Sequence, residues 1–381
     1  MDWYIKFQCI GGKCPLTCCS SEWKISLTEK EIERYKSMEH PFQSEIMKGV
    51  DEENKCMITD GKSGKCSLLT EDGWCRMVLE CGEEYLSKTC TVFPRHAKRY
   101  GDIFETGVEI VCPVVAGYLL EDVPIGFGIQ EKDTDEEIKE IDYQVYDSLA
   151  LARGELVGMM QSLPGHFTTG KLYIMFSVLT KIKELFSEEL NRDNVISVLD
   201  AYAAEETRKE IFAQCEVIAG QYKQKAIILQ SLLLSFQTVI IKQLNGSFLS
   251  DDMLRENVIL WITDEKKFSK DLEAFSAYLK QEYPMISENF LIYALFMDWI
   301  ELDSDKFGQK MYARIFELAL IQIFAMSVWV ADGELDKEKY QVLISMVDRN
   351  FSHRKDFLST ISENLHNLER DSIANILMFL I

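Results

Sequence analysis

Cysteine is the residue type most unevenly spread along this 381-residue chain. The stretch FQCIGGKCPLTCCSSEWKI, residues 7–25, holds Cys9, Cys14, Cys18 and Cys19. Cys56, Cys66, Cys75, Cys81, Cys90 and Cys112 follow, so ten of the eleven cysteines fall in the first 112 residues and only Cys215 lies beyond. MDWYIKFQ carries an early acid and no apolar run of signal-peptide length. A cytoplasmic protein is therefore expected, in a compartment where structural disulfides are rare. Clustered thiols there point to metal binding, because soft thiolates select zinc or iron–sulfur centres. A site usually takes four ligands, which one short run seldom supplies with suitable directions. The first group, Cys9-x4-Cys14-x3-Cys18-Cys19, is expected to be completed from Cys66, Cys75, Cys81, Cys90 and Cys112, giving four to eight thiolates. In the adjacent pair Cys18-Cys19 the side chains are expected to diverge. Either one ligates while the other packs, or each faces a different metal.

The spacing narrows the choice of metal. Zinc sites favour C-x2-C knuckles, and the chain has none. Cys14-x3-Cys18 starts the C-x3-C-x2-C pattern of radical enzymes, but the next thiol is adjacent and the pattern fails. Long, irregular spacing is compatible with a four-iron cluster held by distant cysteines, with zinc as the alternative. Trp3, Tyr4, Trp23 and Trp74 share this region, and aromatic faces stabilise organic cations; each is also an ordinary core or cluster-covering residue. Arg95, His96 and Arg99 sit close after Cys90, where they can pair with a carboxylate or offset an anionic cluster, or form a solvated face. His166, His353 and His366 are isolated and read as structural or surface residues.

Composition bounds the partners. The hydrophobic share is 47% and the formal charge is −21, from 41 basic and 62 acidic side chains. That balance argues against wrapping nucleic acid, which wants clustered Lys and Arg. Residues 1–112 hold 15 basic and 19 acidic residues, leaving 26 and 43 beyond, so the later part is by far the more acidic. It suits a basic or lysine-bearing partner as well as solubility. The most apolar stretch, 315–331, is interrupted by Glu317 and Gln322 and reads as a buried helix, with no membrane partner expected.

The elements that must position the thiols follow from local signals. Thr28 with Glu31 is a capping box opening a short helix, with Ile32 and Tyr35 inward, that Pro41 ends. KCSLLTEDGWCRM (65–77) reads as two short strands joined by a Glu-Asp-Gly turn. CGEEYLSKTCTVFPR (81–95) reads as one helix ending at a Pro-Arg turn. Pro124, Gly126, Gly128 and an acidic run mark 121–137 as a linker. Thr134 with Glu137 opens a long helix towards Ser162, 163–170 is a turn, and later helices end near Phe186, Ala213, Ile241, Leu279, Ile300, Val330, Val347 and Leu380. NGS at 245–247 and ADGE at 331–334 are loop breaks. Residues 328–347 form a helix–acidic loop–helix lacking calcium-loop spacing. The expected fold is mainly α. A small cysteine-rich α+β metal- or cluster-binding unit (1–120) precedes an all-α multi-helix domain (138–381), bundle or solenoid-like.

Phe7, Cys9, Gly11, Cys14, Cys18, Cys19, Trp23 and Ile25 resemble the opening of the flagellin lysine-N-methylase family. Cys66 through Asp72-Gly73 to Cys75, then Cys90, Phe93, Pro94 and Arg95, and finally Cys112-Pro113, fit the same family. They also fit the broader cysteine-rich zinc- or iron-chelating domain of C-x-x-C-x-x-x-C-C type. The chain departs from that broader pattern at Gly11, where its first cysteine would fall. The resemblance covers roughly the first 120 residues, and the helical remainder carries no matching motif. It implies a methyltransferase moving methyl from S-adenosylmethionine to lysine ε-amino groups of flagellin, with a [4Fe–4S] cluster. The implied ligands come from Cys9, Cys14, Cys18, Cys19, Cys66, Cys75, Cys90 and Cys112, with Cys56, Cys81 and Cys215 as bystanders. Arg95, Trp23 and Tyr4 become candidates for holding the methyl donor, and no catalytic residue stands out. The doubly wound donor-binding fold, with its glycine-rich first turn, is not expected, because PIGFG (124–128) lacks its strands. The reading from a different class is a non-catalytic zinc- or iron-chelating domain on a helical interaction scaffold.

Overall fold

Short elements crowd the first part of the chain because turn residues and cysteines interrupt every apolar run there. The computed structural model describes residues 1–20, 23–129, 140–163, 168–244 and 252–351. It divides into two compact units, one made of Asp2–Lys98 and Glu105–Ala116, the other of Met1, Arg99–Phe104 and Gly117–Ile381. The elements of the first part are α1 (Trp3–Lys6), α2 (Glu29–Ser37), α3 (Gln43–Lys48), β1 (Val50–Asp51), β2 (Cys56–Met57), α4 (Arg76–Cys81), α5 (Lys88–Val92), β3 (Arg95–Tyr100), β4 (Ile103–Val108) and α6 (Pro113–Leu119). Helix α2 begins as its sequence dictates. Thr28 Oγ1 accepts from the Glu31 amide at 3.3 Å, and Glu31 returns a carboxylate oxygen to the Thr28 amide at 2.7 Å. Ile32 and Tyr35 then face a small core with Ile25, Leu27, Phe42, Ile46, Val50, Met57, Leu68 and Met77. Strands β1 and β2 are antiparallel, with Val50 opposite Met57.

Local expectations change at three places. Residues 65–77 do not form paired strands, because α4 begins immediately after Cys75. The chain meets itself only at single bridges, Thr59 to Cys66 and Leu69 to Cys75. Thr70 and Trp74 close the turn, with Gly73 at φ +82°, a left-handed conformation that favours glycine. Residues 81–95 do not form one helix. Gly82, at φ +104°, ends α4, a single 3-10 turn follows at Glu83–Tyr85, and Ser87 starts α5 by accepting from the Cys90 amide at 3.2 Å. After Pro94 the chain enters β3, which pairs with β4 through Gly101 at φ +63°. RHAKRY hides that strand from a pattern reading: its charged side chains are mostly half-buried, so no apolar alternation shows.

The second part is helical throughout the described residues: α7 (Tyr143–Ser162), α8 (Thr168–Ser187), α9 (Arg192–Ala203), α10 (Glu205–Ala219), α11 (Tyr222–Leu244), α12 (Asp252–Thr263), α13 (Glu265–Glu282), α14 (Ile286–Asp298), α15 (Gln309–Asp332) and α16 (Lys337–Asn350). Helix α7 is capped by Asp142, which accepts from the Val145 amide at 3.1 Å. The Thr134–Glu137 box, His166, NGS at 245–247, His353, His366 and the helix expected near Leu380 lie outside the described residues. Two unexpected breaks occur. Ala204, extended at ψ 129°, separates α9 from α10, with Glu205 and Glu206 favouring the new N-terminus. Asp264 separates α12 from α13 and caps the latter through the Lys267 amide at 3.0 Å. Neither break carries Gly or Pro, so apolar periodicity runs through both.

The core of this part lies on α14 and α15. Both are buried around most of their circumference, from Ile286 to Met297 and from Met311 to Ser327. Helix α15 is long and apolar enough to cross a membrane by length and composition, but 67% of its apolar window is buried inside the fold. Helices α7 and α8 pack on α14, while α12, α13 and α16 pack on α15. Two polar ties cross this apolar interior. Lys171 on α8 pairs with Glu288 on α14, both almost fully buried. Arg314 on α15 reaches Asp298 at the end of α14 (2.8 Å), Glu317 one turn on (2.7 Å) and Asp348 on α16 (2.6 Å). Its guanidinium also stands 5.6 Å from the centre of the Tyr293 ring. Removing the cation leaves three low-dielectric carboxylates without their shared partner, which typically costs ~3–5 kcal/mol. Arg314→Met is expected to lower the free energy of unfolding by about that amount in chemical denaturation; a variant as stable as the parent would contradict this role.

Candidate metal centre

Cys66, Cys75 and Cys90 border the small core, and Cys19 is tied to Cys66 through the backbone. Cys19 ends up beside Cys66 because the Cys66 amide donates to the Cys19 carbonyl at 2.8 Å. Cys75 is the residue before α4, fixed by the bridge to Leu69, and Cys90 lies in α5 under the Ser87 cap. Cys66, Cys75 and Cys90 pack against the Ile25–Met77 core, and none is in a disulfide. Three of these four thiols feel others of the set electrostatically: Cys66 feels Cys19, Cys75 and Cys90, Cys90 feels Cys19 and Cys75, and Cys75 feels Cys19. Burial pushes the Cys66 and Cys90 thiols up to about 11, and raises Cys75 for the same reason. Such thiols stay protonated near neutral pH unless a cationic partner ionises them, which is how thiolate–metal bonding couples to folding.

Cys18 and Cys19 do not part as expected. The 3-10 turn Cys18–Ser20 keeps their sulfurs in hydrogen-bond contact. Cys18 remains the protonated member, first through that bond and then through burial and the nearby charges of Cys19, Cys90 and Cys9. The same bond draws Cys19 down, making it the more readily ionised of the two. A second, looser group contains Cys112, raised to about 11 by burial and next by the charges of Cys14 and Cys9. By these mutual charges Cys66 and Cys90 go with Cys19 and Cys75, Cys112 goes with Cys14 and Cys9, and Cys18 feels Cys19, Cys90 and Cys9. Cys81 faces His40 Nδ1 at 3.4 Å, and Cys215 is buried in α10.

Among the described residues no three His, Cys, Asp or Glu side chains are gathered tightly enough to hold a single metal ion. Thiolates about 2.3 Å from one zinc stand about 3.8 Å apart. An iron–sulfur cluster spreads its thiolate bonds over separate irons. By donor type, the soft thiols of Cys19, Cys66, Cys75 and Cys90 fit such a cluster, and the core packs against the last three.

The remaining candidates have protein partners. Arg95 donates to the Tyr4 carbonyl (Nε, 3.2 Å) and the Phe7 carbonyl (Nη2, 2.9 Å), and its guanidinium covers the Tyr4 and Phe7 rings at 5.6 and 5.0 Å. The structure thus joins Arg95 to Tyr4, as a clamp on the C-terminal end of α1. Trp23 packs against Phe93 at 5.4 Å. Trp3 is buried. His96 faces Glu109 at 3.5 Å, and Arg99 donates to the Gly101 carbonyl at 2.9 Å. Trp74 has a role that sequence reasoning missed. Its indole lies on the backbone of Gly11 and Gly12, so close that a Cβ at Gly11 would stand 2.8 Å from the ring and one at Gly12 nearer still. The adjacent glycines between Cys9 and Cys14 were the available signal for such a close approach.

Residues 168–379 match the family model described as the FliB lysine N-methylase C-terminal domain. The match covers more than half of the chain and lies in the helical part, from α8 onward, where the sequence displayed no short motif. Searches of curated proteins and of solved structures return no match. For the cysteine centre, Cys19→Ser and Cys90→Ser are each expected to lose at least about half of the metal retained by anaerobically isolated protein, since a cluster missing one of four ligands is labile. Cys215→Ser should retain it all; equal metal in all three variants would contradict the assigned set.

Proposed function

The chain belongs to the FliB lysine N-methylase family, and from that premise we propose that it methylates flagellin lysines in the cytoplasm, using S-adenosylmethionine as donor. We further propose that the thiols of Cys19, Cys66, Cys75 and Cys90 hold a [4Fe–4S] cluster. The match over residues 168–379 carries the methylase reading; the grouping and burial of the four thiols support the cluster. In the reaction the lysine nitrogen attacks the sulfonium methyl in line. A nitrogen–carbon bond forms, the carbon–sulfur bond breaks, and its electron pair returns to sulfur to give the thioether product. One proton leaves the new methylammonium for solvent if a further round is to follow. The amine must be neutral to attack, and aligning it with the donor converts a bimolecular encounter into an oriented one.

When bound, the cluster supplies iron–thiolate bonds that tie four separated segments together, adding folding energy that a small core lacks. The chain's own groups prepare that arrangement. Ser87 fixes the first turn of α5 and with it Cys90, the Cys19–Cys66 backbone bond joins the first cysteine run to the second, and Trp74 holds the Gly11–Gly12 turn. Arg95 clamps α1. The acidic balance of the helical part suits a lysine-bearing protein substrate through long-range attraction. The direct check is incubation of anaerobically purified, cluster-loaded protein with flagellin and isotope-labelled S-adenosylmethionine. Label on lysine side chains, located by peptide mass spectrometry, is expected; no transfer under those conditions would overturn the proposal in favour of a non-catalytic scaffold.

A further inference from the structure

The helical part carries a row of aromatic rings that nothing in methyl transfer or metal binding explains. Phe275 and Tyr278 come from α13, Tyr283 from the residue after it, Trp329 from the last turn of α15 and Tyr340 from α16. Ring centres follow one another from Phe275 to Trp329 at 5.6 Å, Trp329 to Tyr278 at 5.4 Å, Tyr278 to Tyr283 at 6.4 Å and Tyr283 to Tyr340 at 5.1 Å. Tyr278, Tyr283 and Trp329 are partly open to solvent, whereas Phe275 and Tyr340 are buried. The two partly open phenols are anchored by the loop between α15 and α16. Tyr278 donates to the Leu335 carbonyl at 3.0 Å and accepts from the Leu335 amide at 3.1 Å, and Tyr283 donates to the same carbonyl at 2.7 Å. The rings are thereby held as a fixed platform.

Two further features mark that platform. At its inner end the Tyr340 hydroxyl is buried with no hydrogen-bond partner among the described residues. The rim is acidic. Over residues 332–339, Asp332, Glu334, Asp336 and Glu338 outnumber Lys337 and Lys339 by two charges, while Glu282 and Lys280 balance at the end of α13. Asp336 and Glu282 lie within electrostatic reach of the Tyr283 phenol. The rim already binds one ammonium, since Lys339 Nζ stands 2.8 Å from Asp332 and 3.8 Å from Asp336. Aromatic faces and carboxylates together favour an organic cation.

We propose that this row is a docking platform for a lysine side chain of the protein substrate, held as its ammonium and bound best when methylated. The proposal rests on the reading of the chain as a protein-lysine methylase. It is a second site and not the place of transfer, because carboxylates and ring faces stabilise the charged form of the amine, whereas attack on a sulfonium requires the neutral form. Methyl groups strengthen such binding, since a methylammonium is less hydrated than an ammonium and covers more of the ring surface. A segment methylated once would then stay attached while neighbouring lysines reach the transfer site at raised effective concentration.

The test uses the full chain without any methyl donor, titrated by calorimetry with the peptide Gly-Gly-Lys-Gly-Gly carrying trimethylated, unmodified or acetylated lysine. Affinity is expected to fall in that order, by about tenfold from first to last, the range that a desolvated cation–π contact supports. Trp329→Leu and Asp332→Asn, each first checked for an unchanged helical circular dichroism spectrum, should both weaken the trimethylated peptide. Acetylated peptide bound as tightly as trimethylated, or both variants binding like the parent, would overturn the platform. With no donor present the titration reads the platform alone. Lost selectivity beside intact flagellin methylation removes the platform and leaves the methylase; retained selectivity without methylation sustains the platform and removes the methylase.

Discussion

Everything in the cysteine-rich unit depends on how four thiols are accommodated beside a core too small to stand comfortably alone. A thiol packed against apolar side chains resists ionisation, and the raised values of Cys66, Cys75 and Cys90 follow from that burial. Left as neutral thiols they are modest hydrophobes with weak polar contacts. Ionised together without a cation they would repel one another across a medium that screens poorly. A cationic inorganic centre resolves both difficulties, because it ionises the thiols and offsets their charge in the same step. The short helices, single bridges and 3-10 turns of residues 1–116 make sense as devices that aim cysteines, and few of them could persist as isolated elements.

The helical part answers to a different constraint. Helices α14 and α15 are apolar around nearly their whole circumference, so they can be satisfied only as the centre of a bundle. Apolar packing fixes depth but specifies orientation weakly. The contacts of Arg314 with Asp298, Glu317 and Asp348 tie three helices at one point, and Lys171 with Glu288 ties another pair. Buried polar groups of this kind tolerate few alternative arrangements, because each alternative strands a charge. The aromatic row from Phe275 to Tyr340 sits where α13, α15 and α16 meet, so the same packing that builds the bundle also presents the rings.

How much of this was legible beforehand depended on the range of the signal. The α2 cap at Thr28 and Glu31, the inward Ile32 and Tyr35, and the left-handed end of α15 at Gly333 are written in neighbouring residues. The mainly α class follows from periodicity sustained over hundreds of residues. The breaks at Ala204 and Asp264 escaped because they lack Gly or Pro, and β3 escaped because its charged residues are half-buried without alternation. Family membership was visible in the cysteine spacing, yet the match itself lies in helices whose identity is spread over many weakly informative positions. The partition of the thiols and the seat of Trp74 on Gly11 and Gly12 are tertiary facts. No spacing rule joins Cys19 to Cys66; a backbone hydrogen bond does, and a serine cap fixes Cys90 in α5.

The claim on which the rest leans is that these cysteines are organised around an iron–sulfur centre. Quantifying iron, acid-labile sulfide and zinc in the full chain, purified without oxygen and without added metal, tests it most directly. About four irons and four sulfides per chain is the expected result, the content of one cubane held by four thiolates. Stoichiometric zinc with no sulfide would contradict it.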